Sequence, residues 1–344
     1  MRIILDTMGG DNAPDALVRG ALLAQKEQQA DITLVGHAEK ISCVLKAEGL
    51  DVPPPGMDIV HASQVITMED HPSSAIKEKP DSSVVVGLRL LAEGRGDALV
   101  SAGNTGALLT GATLIVKRIK GIRRAALSPL IPTVRNGSLL IDCGANVECT
   151  PEHLLQFAFM GSLYVQHVVG IDKPRVGLLN IGAEESKGDE LHRQVYRMLR
   201  QVHEEGRILF IGNVEGRDIT SGVADVVVAD GFSGNIMLKT TEGMGLFFAD
   251  LMKQILKKNM LTKLGALSAR SDLRNFAKMV DYSEHGGAPF LGVSRPVIKA
   301  HGSSNPRATA SAVRQAIHFA ESGVTQKIME NIDYMTVSVT EGTV

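Results

Sequence analysis

Short runs of Val, Ile and Leu recur along this chain, each followed by a Gly/Asn/Asp/Ser-rich loop and then a helical pattern. That repetition constrains the fold more than any other feature. The clearest runs cover residues 3–5, 32–35, 98–100, 139–141, 176–179, 208–211, 226–228 and 297–298. They are apolar without alternation, as strands covered on both faces of a parallel sheet are. Helical patterns over 15–28, 106–119, 151–168, 189–204 and 306–321 intervene. The expected fold class is therefore α/β, a three-layer α/β/α sandwich around a mostly parallel sheet, forming one catalytic unit over 1–344.

Composition narrows the function. Of the 344 residues 44% are apolar and 22% charged, enough to bury a core without metal or disulfide staples. The net charge of −2 lacks the basic excess of a nucleic-acid binder, so no nucleic-acid partner is expected. Cys43, Cys143 and Cys149 fit no zinc spacing, and a small odd number of cysteines suits a reducing compartment. The opening apolar run is too short for a secretory leader, and no run of ~18 apolar residues occurs, so a cytoplasmic location is expected. There is no P-loop, GxGxxG or HExxH, and Gly231-Phe232-Ser233-Gly234 is one residue short of a GxSxG nucleophile elbow. The expected chemistry needs no protein nucleophile, no metal and no cofactor.

In open α/β sheets ligands gather beyond the C-terminal ends of the strands. The loops there are 6–11, 101–105, 142–146, 180–187, 230–235 and 301–305, all rich in Gly, Asn, Asp, Ser and Thr. Gly103, Asn104 and Thr105 precede a helix. Such a loop is either an anion site, with close backbone approach and the helix dipole behind it, or a tight turn with an N-cap. Ser233, Gly234 and Asn235 repeat the element, and two such loops could grip one oxyanion from two sides. His301 brings an ionisable ring, or is a satisfied structural histidine. Lys187 lies in a charged, Gly-bracketed loop able to reach a phosphate, unless that loop is a solvated charge cluster. Asp11 could orient a ligand, or cap the helix that starts near Pro14. Together these loops point to an enzyme that works on a phosphate group.

Residues 240–282 differ from the rest. Within 253–278, Lys253, Lys257, Lys258, Lys263, Arg270, Arg274 and Lys278 face only Asp272, a local charge of +6 that leaves −8 elsewhere in a chain of −2. Phe248, Leu251, Met252, Ile255, Leu256, Met260, Leu261, Leu264 and Leu267 recur at helical spacing, with a bend expected at Gly265. A basic amphipathic helical hairpin follows, suited to an anionic membrane surface, an acidic protein or a partner subunit.

Seven ordered motifs resemble one family. They are Asp6-Thr7-Met8-Gly9-Gly10-Asp11-Asn12-Ala13-Pro14, Ser101-Ala102-Gly103-Asn104-Thr105-Gly106-Ala107, Ile141-Asp142-Cys143-Gly144-Ala145-Asn146, Asn180-Ile181-Gly182 with Glu184-Glu185-Ser186-Lys187-Gly188, Gly212-Asn213-Val214-Glu215-Gly216, Asp230-Gly231-Phe232-Ser233-Gly234-Asn235, and Gly286-Gly287-Ala288-Pro289 with His301-Gly302. From about residue 1 to 330 the chain resembles the bacterial phosphate acyltransferases, the PlsX family. The resemblance implies a fold similar to the phosphotransacetylase and isocitrate dehydrogenase group, usually a homodimer. It also implies transfer of a long-chain acyl group from acyl carrier protein to inorganic phosphate. The acyl phosphate would feed a membrane glycerol-3-phosphate acyltransferase in phospholipid synthesis, with reversible membrane contact. With phosphate as the nucleophile, no serine or cysteine elbow is needed. Gly103, Asn104, Thr105, Ser233, Gly234 and Asn235 are then expected to hold phosphate, Lys187 to stabilise charge, His301 to orient or deprotonate phosphate, and Asp11 to support the site. A short-chain, coenzyme A-dependent phosphotransacetylase and a non-catalytic carrier or membrane scaffold are the alternatives.

Overall fold

A computed structural model describes residues 1–135, 137–273 and 286–336. Arg274, Lys278 and the 274–282 end of the expected hairpin lie outside these residues. The α/β expectation holds, with one difference: the strands divide into two sheets. The first runs β3 (Met57–His61), β2 (Asp31–Gly36), β1 (Arg2–Asp6), β4 (Ala98–Ser101), β12 (Val297–Lys299), β11 (Ala288–Leu291), β5 (Ala126–Leu127). Its first five strands are parallel, and β11 and β5 close the edge in antiparallel pairing. The second sheet runs β6 (Leu130–Ile131), β7 (Ser138–Ile141), β10 (Val226–Val228), β8 (Arg175–Leu179), β9 (Leu209–Val214), parallel apart from β6. The short β5 and β6, separated by only Ser128 and Pro129, pass the chain from one sheet to the other.

The strand-forming runs are buried because helices cover them. In the first sheet, α1 (Asp15–Gln28) and α11 (Pro306–Glu321) pack together, so closely that a Cβ at Gly20 would sit 2.4 Å from the Thr309 Cβ. On the other face, α4 (Ser83–Ala92) and α5 (Thr105–Gly111) supply Leu88, Leu91 and Leu108 to a separate apolar cluster with Ile4 and Leu99. A single apolar cluster joins Ile3 and Leu5 of the first sheet to Leu139, Ile141 and Val226 of the second. Its Phe157 and Tyr164, on α6 (Pro151–Tyr164), are fully buried, and each such side chain contributes about 1.5–3 kcal/mol.

The basic segment is helical but begins earlier than expected. α9 (Gly231–Lys257) starts inside the 230–235 loop and runs unbroken into the tip. The break falls at Lys258 and Asn259, where Asn259 makes a capping box with Thr262 and opens α10 (Met260–Ser268). Gly265, where a bend was expected, lies inside α10: a capping box ends and restarts a helix more effectively than one glycine. Only Gly231 and Gly234 of α9 are buried. Phe247, Phe248, Leu251, Ile255, Met260 and Leu261, the last at 80% exposure, stand in the open. No helix of the described residues is long and apolar enough to cross a membrane.

Candidate active site

Strand register assembles the centre of the site. Asp6 pairs with Ser101, and Ser101 with Lys299, so three side chains line up at the C-terminal ends of β1, β4 and β12. The Ser101 hydroxyl donates to Asp6 Oδ2 at 2.7 Å and accepts the Gly103 N–H at 3.1 Å. Met8 N–H donates to Asp6 Oδ1 at 3.1 Å. Lys299 is 9% exposed, and its Nζ donates to the carbonyls of Ala102 and Ala300. Burial pulls its pKa down from 10.5 to about 8, against the opposing attraction of Asp6 and Asp11. Sequence reading missed Lys299. The available signal was a lone ionisable residue ending an apolar strand directly before the His301 loop.

Three loops close over this row. Gly9 lies against Gly103 so tightly that a Cβ there would meet the Gly103 amide at 2.5 Å. Asp11 N–H donates to Gly302 O at 2.8 Å, and Asn12 Nδ2 to Ser303 O and Ser304 O, tying the opening loop to the His301 loop. Burial lowers the His301 pKa, with smaller contributions from Lys239 and Lys299 that Glu242 and Asp11 oppose. The Ser303 N–H donates to His301 Nδ1 at 3.2 Å, which leaves the proton of the neutral ring on Nε2. Lys239, paired with Glu242 at 2.8 Å on α9, acts on both His301 and Lys299, and Glu242 acts on His301, so the charges of α9 are felt at the first-sheet loops.

The two Gly-Asn loops prove unequal. In the first, Asn104 caps α5 by accepting the Ala107 N–H at 3.0 Å, and its Nδ2 donates to the carbonyls of Thr67, Met68 and Asp70. The amides of Thr105 and Gly106 have no acceptor among the described residues, so the positive end of α5 is open. In the second, Gly231 N–H donates to Asn146 O, and the amides of Phe232 and Ser233 donate to Asp230 Oδ1. The amide positions of this helix start are thus already filled, leaving the Ser233 hydroxyl and the Asn235 side chain. Gly234 serves packing, since a Cβ there would lie 1.9 Å from Asp142 O. Asp142 is fully buried and accepts from the amides of Leu127, Cys143, Ala145 and Asn146, yet burial still raises its pKa to about 6. No hydrogen bond joins Asn104 or Thr105 to Ser233 or Asn235. Lys187 Nζ stands 3.8 Å from Glu184 Oε1 in the loop beyond β8 and is half-exposed. That loop adjoins the start of α9, where His192 Nε2 is 3.9 Å from Asp230.

The fatty acid synthesis protein family model matches residues 1–327. A phosphate acyltransferase of Thermoanaerobacterium thermosaccharolyticum is 47% identical over 333 residues, covering 97% of each chain. The chain belongs to the phosphate acyltransferase (PlsX) family. The Acetivibrio thermocellus member is likewise 47% identical, over 338 residues and 98% of each chain. Among solved structures, a Streptococcus pyogenes phosphotransacetylase superposes with a TM-score of 0.64 at 17% identity, covering 93% of this chain and 94% of that one. A branched-chain phosphotransacylase of Enterococcus faecalis gives 0.56 at 16%, covering 93% and 99%. At such identities the likeness concerns the fold, and it agrees with the phosphotransacetylase-like architecture expected above.

Proposed function

We propose that this protein transfers a long-chain acyl group from acyl carrier protein to inorganic phosphate. The observation that carries this reading is full-length membership of the phosphate acyltransferase family, joined to a strand-end row containing a buried cation and an open helix start. A phosphate oxygen attacks the thioester carbonyl, the resulting oxyanion collapses, the C–S bond breaks and the carrier thiol leaves with a proton. Nothing in this sequence of steps calls for an acyl-enzyme. The site must hold a dianion about 3 Å from the carbonyl and stabilise the developing charge. In this reading the open amide of Thr105 holds phosphate, with Gly103 and Asn104 fixing the loop that presents it. Ser233, Gly234 and Asn235 form the opposite wall. His301 orients or deprotonates phosphate, and Asp11 supports the loop that carries it. Lys299 supplies the nearest buried positive charge, and Lys187 stabilises charge from the loop beyond β8. The names of the relatives and of the family model favour this over the coenzyme A-dependent and scaffold alternatives.

The exposed apolar and basic side chains on α9 and α10 suit reversible contact with an anionic membrane surface, near the glycerol-3-phosphate acyltransferase that consumes the product. A homodimer at the cytoplasmic face fits the same picture. Acyl phosphate trapped with hydroxylamine, from palmitoyl–acyl carrier protein with and without phosphate, tests the reaction. Phosphate-dependent product is expected, and product independent of phosphate would refute it.

A further inference from the structure

A second basic surface lies far from the hairpin in sequence. Residues 117–124 read Lys-Arg-Ile-Lys-Gly-Ile-Arg-Arg, five cations in eight residues, and all five are exposed. Among the described residues none of them has a carboxylate within 4 Å. The segment is held firmly. Ile119 N–H donates to Gly292 O, Ser294 N–H to Lys117 O, and Gln156 both accepts the Arg123 N–H and donates to Gly121 O. Lys117 is fixed at φ 76, a conformation lysine rarely adopts. Charges on such a platform lose little freedom when a partner arrives.

Beside it opens a cavity of about 230 Å³, lined by Thr110, Thr113, Leu114, Arg118, Arg124 and Asn146 among others. Two of its lining elements also reach the site: α5, which carries Thr110, begins at the open Thr105 amide, and Asn146 O accepts the Gly231 N–H at the start of α9. The two apolar residues of the basic run, Ile119 and Ile122, are buried, so the run itself offers charge alone, and the exposed Leu114 beside it lines the cavity. The α9–α10 tip is the reverse, with apolar side chains standing clear of the protein.

We propose that the 117–124 platform docks an acidic carrier protein whose phosphodiester-linked thioester arm enters the Arg118–Arg124 cavity toward the phosphate site. This rests on the carrier-dependent reading above. The test uses the full chain with Lys120→Glu/Arg123→Glu, two positions outside the cavity lining. KM for palmitoyl–acyl carrier protein should rise about tenfold or more, with kcat within about twofold and KM for phosphate unchanged. Raising ionic strength should weaken the wild type more than the variant. Lys257→Glu/Lys258→Glu on the hairpin should leave the carrier KM unchanged. An unchanged carrier KM in the platform variant, with wild-type melting temperature, overturns the proposal. So does loss of anionic-vesicle binding without a carrier effect. Direct titration of unacylated carrier protein reads the surface independently: if it binds but no acyl phosphate forms, the reaction has failed and the docking surface stands.

Discussion

Replacing Lys299 with methionine nearly preserves side-chain length and removes the charge. In the wild type, burial brings this ammonium from 10.5 to about 8. Such a group is roughly nine-tenths protonated at pH 7 and one-tenth at pH 9. If it stabilises the oxyanion, kcat at saturating substrates falls about tenfold over that span. Lys299→Met should lack this alkaline limb and be slower at pH 7 by about 10²–10³-fold, as when one preorganised donor to an oxyanion is deleted. Hydroxylamine-trapped acyl phosphate across pH 6.5–9.5 measures both. Stability gives an independent reading. The unfolded chain keeps this proton up to 10.5 while the folded chain releases it near 8, so the unfolded state binds more protons between those values and stability rises with pH there. The gap corresponds to about 3 kcal/mol. The unfolding free energy of wild type relative to Lys299→Met should therefore climb by that order from pH 8 to 10.5. A variant that kept the wild-type alkaline limb would assign the limb to another group and sink the role given to Lys299.

Two glycines of α9 should respond oppositely to alanine. Gly234→Ala forces a Cβ to 1.9 Å from a backbone carbonyl and should cost about 1–3 kcal/mol, whereas Gly243→Ala has nothing within 4 Å and should gain about 0.5–1 kcal/mol, both read by denaturant unfolding. Asn104→Ala removes a helix cap and the donors to the 67–70 loop, so it should lower stability by about 1–3 kcal/mol as well as turnover. Asn104→Asp should restore the cap alone; equal stability of the two variants would contradict this. Asp142→Asn opposes an amide donor to the donors of Asn146 and should destabilise by about 1–3 kcal/mol. That loss should be smaller at pH 7 than at pH 4.5, because burial makes the carboxylate costly above its pKa of about 6, and a loss independent of pH would count against the raised value.

The helix at 306–321 was legible because its periodicity, its Asn305 cap and Pro306 agree at the local level, and that at 15–28 from its periodicity alone, its N-cap being Pro14 with no capping side chain. β3, β5, β6 and β11 were not. β3 is half-exposed and mixes Asp and His with apolar residues, while β5 and β6 have two residues each. The division into two sheets was hidden for another reason. β12 pairs with β4 across some two hundred residues of chain, and no local pattern encodes so distant a partner. The same pairing creates the Asp6–Ser101–Lys299 row, so Lys299 could not be recognised from its neighbours. The loop at 230–235 was correctly placed at a strand end, but its capping Asp230 fills the amides that residue type alone left available. The basic run at 117–124 did not stand out in the sequence from the larger charge excess at 253–278, and the cavity beside it exists only in the folded chain.

α9 carries a mechanical consequence. It is one rod of 27 residues from the Asp230 cap to Lys257, about 40 Å at 1.5 Å per residue. Anchored over its first turns, where Gly231 and Gly234 are buried and Met237 and Leu238 pack on the core, and largely exposed beyond them, it would behave as a lever with its pivot at the root. A tilt of about 5° about the buried Gly231–Gly234 turn would sweep the far end through roughly 3–4 Å while the root moved by only a few tenths of an ångström. The tip can therefore ride an undulating surface while Ser233 and Asn235 stay in register with the rest of the cleft.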